Sequence, residues 1–171
     1  MTDLRSFVRD VPDFPGPGIL FRDITPLLAS PLAFRLAIQE MAKPFRDLRF
    51  QKVLGIEARG FMFGAAMARE LSVGFVPLRK PGKLPRETVK VSYGLEYGKD
   101  CLEVHRDSLE AGETVLIADD VLATGGTAEA AVRLVEQLDA KVVGLSFLIE
   151  LENLAGRSRL TDHRVHSVLV L

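Results

Sequence analysis

Short apolar runs alternate with segments of helical period along most of this chain. Lys52 to Ile56, KVLGI, reads as a buried strand, and 61–71 as the helix after it. Gly74 to Leu78 is a second strand. Val115 to Ile117 is a third, followed by two acids, a glycine-rich turn and the helical segment AEAAVRLVEQL. Val142 to Ile149 continues the series, and Ser167 to Leu171 closes it. Unbroken β-branched and apolar runs are what strands covered on both faces require. Strands alternating with helices predict an α/β fold, with a mainly parallel central sheet flanked by helices.

The remaining segments break this rhythm. Residues 2–11 read as a short helix, with Leu4, Phe7, Val8 and Val11 on one face. PDFPGPGILFRDITP, 12–26, holds too many prolines and glycines for a regular helix, yet its apolar content requires packing. Ser30 is placed to cap a helix over 31–43, with Leu32, Phe34, Leu36, Ile38 and Met41 as its apolar candidates. Residues 79–100 are rich in basic, proline and glycine residues without a long apolar period. That reads as a long loop with room for a short hairpin, and loops of this length are often functional lids. Cys101 to His105 reads as a strand returning to the sheet.

Composition narrows the class. With 171 residues, 47% of them apolar and 26% charged, one domain over 1–171 with a full core is expected. A formal net charge of −1 gives no basic balance that would point to nucleic acid. One cysteine, Cys101, excludes an internal disulfide framework and suits a reducing cytoplasm. No apolar run approaches the roughly 18 residues of a membrane span, and MTDLRSFVRD lacks the apolar core of a signal peptide. Neither a repeat nor an interdomain linker is visible.

Chemistry concentrates in VLIADDVLATGGT, 115–127. Asp119 and Asp120 fall at the carboxyl end of a strand, where open α/β sheets bind their ligands. Ala123, Thr124, Gly125, Gly126 and Thr127 make a tight turn into a helix whose first N–H groups and dipole favour phosphate. Two acids beside a phosphate cradle suit a ligand with phosphate at one end and hydroxyls or Mg2+ at the other, as in a ribose 5-phosphate. The stretch matches neither G-x-x-x-x-G-K-[ST] nor G-x-G-x-x-G. It resembles the 5-phosphoribosyl-1-pyrophosphate (PRPP) signature of the type I phosphoribosyltransferases. The resemblance implies that 123–127 hold the 5-phosphate and that Asp119 and Asp120 hold the ribose hydroxyls.

Four further segments resemble the adenine-using branch of that family, in family order. Glu57-Ala58-Arg59-Gly60 follows a strand, and a guanidinium there can fork onto phosphate oxygens. It is similar to the branch's pyrophosphate loop, which often carries a non-proline cis peptide. RKPGKLP, 79–85, resembles the stretch before the branch's mobile loop and makes Arg79 and Lys83 candidate pyrophosphate contacts, Arg79 either in its own site or in a neighbouring subunit's. SYGLEYG, 92–98, resembles the catalytic lid, implying Glu96 as the acid–base residue and Tyr97 as the gate. PDFPGPGILFRDITP resembles the branch's N-terminal hood, whose backbone reads adenine. Leu20, Phe21 and Arg22 then flank the base. Leu151 is either the cover of its other face or an ordinary core leucine.

The resemblance spans roughly 11–156 and implies the type I phosphoribosyltransferase fold, with a small hood at about 1–30 and a flexible lid at about 79–100. It implies adenine and PRPP as substrates, AMP and pyrophosphate as products in purine salvage, and a homodimer. Mg2+ is the implied cofactor, carried mainly by PRPP without a dedicated protein site. A 6-oxopurine enzyme and a PRPP-sensing regulator are the alternatives. The hood and LEYG argue against the first. Glu96, the basic loop and the lack of a spare recognition helix before Val115 argue against the second. His105, His163 and His166 have no ligand-like partners, and the tail from Gly156 onward carries no usable motif.

Overall fold

The computed structural model describes residues 3–94 and 100–171. A five-stranded, all-parallel sheet forms its centre, built from β3 (Lys52–Ile56), β4 (Gly74–Leu78), β7 (Thr114–Leu122), β8 (Lys141–Glu150) and β9 (Val165–Val170) in the order β4-β3-β7-β8-β9. The alternation of β7 shows how both faces are covered. Val115 and Ile117 point into one core with α4 (Gly126–Gln137), while Leu116 and Ala118 point into another with α2 (Pro31–Ala42) and α3 (Gly60–Leu71). Strands β3 and β7 are neighbours, yet the chain leaves them toward opposite edges of the sheet. The crevice at their carboxyl ends is the point where a doubly wound sheet takes a ligand. Among the described residues no helix is long and apolar enough to cross a membrane.

The helix expected over 2–11 is instead a 3-10 turn, Leu4–Phe7, followed by β1 (Arg9–Pro12). Asp3 caps the turn by accepting from the Arg5 N–H at 2.9 Å. A helix this short is marginal alone, and pairing with β2 (Leu20–Asp23) wins. That pair, Arg9↔Asp23 to Pro12↔Leu20, forms an antiparallel ribbon, the expected hood. A short helix α1 (Thr25–Ala29) joins it to α2. Ser30 caps α2 as expected, but the buried face is Ala33, Ala37, Ile38, Met41 and Ala42. Leu32 lies one position off that stripe and is exposed.

Two further expectations change. Cys101 to His105 does not return to the central sheet. As β6 (Asp100–His105) it pairs antiparallel with β5 (Thr88–Tyr93), and this hairpin lays Val91, Leu102 and Val104 on the α4 side of the core. A single bridge, Arg79↔Glu103, ties the hairpin to the end of β4. The last strand also begins earlier than 167, at Val165.

Candidate active site

The acidic pair lies at the switch-point crevice. Asp119 is half-buried and Asp120 buried. Asp119 Oδ1 accepts the Asp120 N–H at 2.8 Å. Arg59 Nε stands 2.7 Å from Asp120 Oδ2, but without a hydrogen-bond angle, so this contact is an ion pair and the buried oxygen has no hydrogen-bond donor among the described residues. Burial, reinforced by the Asp120 charge, pushes the Asp119 carboxyl well above the ordinary carboxylate range. Burial also raises Asp120, against the pull of Arg59. Such a pair favours any ligand that brings positive charge or hydroxyl donors.

The loop from Ala123 to Thr127 closes the next compartment. Gly125 takes φ 82°, a left-handed conformation suited to glycine, and is the N-cap of α4. Amides at the start of a helix have no partner within it, which suits this turn to an anion. Asp119, Val121 and Phe147 complete its wall.

Across the crevice the Glu57–Ala58 peptide is cis, as the resemblance leads one to expect. Glu57 accepts the Lys80 N–H at 2.7 Å and the Arg79 guanidinium at 3.3 Å. Burial works against its charge, but those donors hold its carboxyl below the ordinary range. Ala58 and Arg59 line the cleft with the acidic pair. Arg79 stacks on Phe61, 5.8 Å from the ring centre. Lys83 is exposed and lies outside this lining, its carbonyl taking a 3.4 Å contact from Arg79 Nη1.

Sequence reasoning missed Lys80, Tyr93 and Asp100, which do line the cleft. Lys80 Nζ donates to Tyr93 Oη at 3.1 Å and pairs with Asp100, while Tyr93 donates to Asp100 at 3.0 Å. Burial opposes the ammonium, yet Asp100 and Tyr93 hold its pKa above the usual lysine range. The position of Lys80 inside RKPGK was the available signal. Glu96 and Tyr97 lie outside the described residues.

An apolar slot opens beside the acids. It is lined by Leu20, Phe21 and Arg22 of the hood, by Leu151 and Leu154, and by Val121, Ala123 and Arg59. Arg59 lies over the Phe21 ring, 5.1 Å from its centre, and Phe14 meets Phe21 edge-on at 5.1 Å. Arg22 is held by Asp10 of β1. Leu20 and Leu154 stay 45% and 42% exposed, so apolar side chains are presented to the slot and not spent in the core. Leu151 lines the slot and also packs against the buried cluster. Ile19 and Leu154 were not anticipated. His105 contacts Arg86, and His166 contacts the Glu40 carbonyl, both away from this cleft.

A parallel sheet of this order, with a glycine turn into α4, an acidic pair and a hood ribbon at the switch point, is the type I phosphoribosyltransferase fold. The family model "Phosphoribosyl transferase domain" matches residues 25–169. An adenine phosphoribosyltransferase of Rhodopirellula baltica is 58% identical over 167 residues, 98% of this chain and 81% of that protein. The crystal structure of adenine phosphoribosyltransferase from Rhodothermus marinus superposes with TM-score 0.93 at 55% identity, covering 98% of this chain and 96% of that one. The Saccharomyces cerevisiae adenine phosphoribosyltransferase, solved with an imino-altritol bisphosphate and adenine, gives TM-score 0.91 at 41% identity over 96% of each chain. The chain belongs to the phosphoribosyltransferase family, and within it to the adenine phosphoribosyltransferases.

Proposed function

We propose that this chain transfers the 5-phosphoribosyl group of PRPP to adenine, giving AMP and pyrophosphate, as a step of purine salvage in the cytoplasm. The observation that carries the reading is one continuous cleft whose phosphate loop, acidic compartment and apolar slot all share Val121 and Ala123 as walls. A ligand spanning them would have a phosphate, a polyhydroxyl middle and a flat apolar end, as AMP does.

In the reaction the bond from the anomeric carbon to pyrophosphate breaks. The bond from that carbon to the base nitrogen forms, and the base gives up its proton. Positive charge builds on the ribose; that charge favours the ionised forms of Asp119 and Asp120, which then accept the hydroxyls and oppose it with negative charge. Lys80 and Arg59 line the same cleft and are the cations it offers to the leaving pyrophosphate. Strand β2 belongs to a two-stranded ribbon, so its outer edge has free backbone donors and acceptors to read adenine. Glu96 takes the base proton, a role that rests on its sequence context.

The acidic pair suits Mg2+ carried on PRPP, because among the described residues the buried Asp120 Oδ2 accepts no hydrogen bond and has only the Arg59 ion pair against its charge. When bound, the ion would neutralise charge on the departing pyrophosphate. The reading extends to a homodimer, supported by exposed Met62 and Phe75 beside half-buried Phe61 around β4, a sheet edge. Arg79 borders this patch through Phe61, which suits action in the neighbour's site. Light scattering would test the dimer.

The activity test is AMP formation from adenine, PRPP and Mg2+, with hypoxanthine, guanine and xanthine in parallel. Turnover with adenine alone is expected. Turnover with a 6-oxopurine would overturn the reading of the slot. Binding of PRPP without turnover of any base would favour a regulator.

A further inference from the structure

The tail segment that carried no motif lies against the phosphate loop. A β-carbon on Gly156 would meet the Ala123 carbonyl oxygen at 2.2 Å and the Gly125 nitrogen at 2.8 Å. In return, a β-carbon on Gly125 would meet the Gly156 carbonyl oxygen at 2.4 Å. Backbone therefore packs on backbone with no side chain between. Gly156 is buried and does not occupy the left-handed region, so steric room and not conformational freedom demands glycine here.

The same short segment is fastened on both sides of this contact. Arg157 grips the buried Glu150 at the end of β8 with a two-pronged ion pair, Nε to Oε1 at 2.9 Å, and donates to the Val165 carbonyl of β9 at 2.8 Å. Forked arginine–carboxylate pairs are geometrically stiff. Arg159 reaches Glu129 in the first turn of α4 at 3.1 Å. The segment is thus pinned to the sheet and to the helix that presents the loop amides.

We infer that Gly156 is a positioning residue for phosphate binding: the 156–159 segment, held by Arg157, braces the 123–127 loop from behind and sets the direction of its N–H groups. This rests on the proposed PRPP reading of the loop. Anion binding by several backbone amides depends on their mutual geometry, and the loop touches solvent on its other side, so the brace is what resists displacement.

The test is Gly156→Ala, with ribose 5-phosphate binding followed by titration calorimetry, thermal melting, and separate KM values for PRPP and adenine. Loss of one charge-assisted hydrogen bond would weaken ribose 5-phosphate binding by roughly tenfold to hundredfold. The expected pattern is a matching rise in the PRPP KM and an adenine KM changed by less than about threefold, with a lowered Tm because the added β-carbon meets backbone and not a yielding side chain. Unchanged ribose 5-phosphate binding overturns the inference, as does an equal rise in both KM values. Should the alanine variant fail to fold, Arg157→Gln decides. Weaker ribose 5-phosphate binding with the adenine KM kept supports the brace, and wild-type binding overturns it. Wild-type protein that binds no ribose 5-phosphate would overturn the reading of the loop, and the brace with it.

Discussion

A β-carbon on Gly60 would lie 2.6 Å from Oδ1 of Asp119. The glycine that starts α3 and the acid near the end of β7 therefore share one space, and the two sequence motifs interlock there. Gly60→Ala must displace the Asp119 carboxylate or tilt the helix start. Small displacements of positioning groups are costly to rate. The expected result is a loss of kcat/KM for PRPP of roughly tenfold to hundredfold, with the fold intact by circular dichroism. Unchanged kinetics would mean the carboxylate has free room to move.

Asp119 also links the site to stability. Its carboxyl is raised well above the ordinary range by burial and by the neighbouring Asp120 charge. The folded chain then keeps a proton that the unfolded chain has released. Stability must fall as pH climbs from the ordinary carboxylate range through the raised value. Asp119→Asn removes that dependence. Its Tm should exceed the wild-type Tm at neutral pH, and the gap should close as pH falls to the ordinary carboxylate range. Turnover should drop by about a hundredfold, because an amide cannot ionise when a positively charged transition state forms beside it. Parallel melting curves at every pH would contradict the raised pKa.

How much of this was legible in the sequence depended on whether the constraint is local. Asp119, Asp120 and 123–127 are contiguous, and each residue type there carries its own physical demand, so the strand, the turn into the helix and the placing of the acids in the cleft read directly. Ala58 and Arg59 were legible for the same reason. Lys80, Tyr93 and Asp100 meet only because the β5–β6 hairpin folds back over the cleft. No local pattern announces that partner, and β6 was accordingly assigned to the wrong sheet. Strand β1 was read as helix because its exposed residues pair with β2 across a proline-rich turn. Gly156 is a glycine for the sake of the Ala123 carbonyl 33 positions earlier in the chain.

The two lysines of RKPGK separate the sequence view from the structural one. Lys80 lines the cleft beside the acids, and Lys83 is exposed outside its lining. Lys80→Ala should lower kcat/KM for PRPP by about a hundredfold, as removal of one preorganised donor does elsewhere. Lys83→Ala should cost less than about tenfold on the same basis. The reverse order would show that the 79–86 segment rearranges when PRPP binds.

Glu96 is assigned from its sequence context alone, so its test must separate chemistry from binding. Glu96→Ala should lower kcat by roughly 100-fold or more, the usual contribution of a positioned acid–base group. Calorimetric PRPP affinity should stay within about threefold. Equal losses in turnover and affinity would remove Glu96 from proton transfer.

Leu151 allows the slot to be tested apart from the sheet beneath it. Its side chain is half-buried, one side on the core and the other on the slot opposite the hood. Truncation removes apolar surface that would face the base, while buried Leu148 and Ile149 remain below. Burying a few apolar carbons is worth about 1–2 kcal/mol, which corresponds to roughly a tenfold change in affinity. Leu151→Ala should therefore raise the adenine KM about tenfold, leave the PRPP KM within twofold or so, and lower Tm by only a few degrees. A large fall in Tm with an unchanged adenine KM would make Leu151 a core residue and nothing more. The expected split would place adenine between Leu151 and the hood.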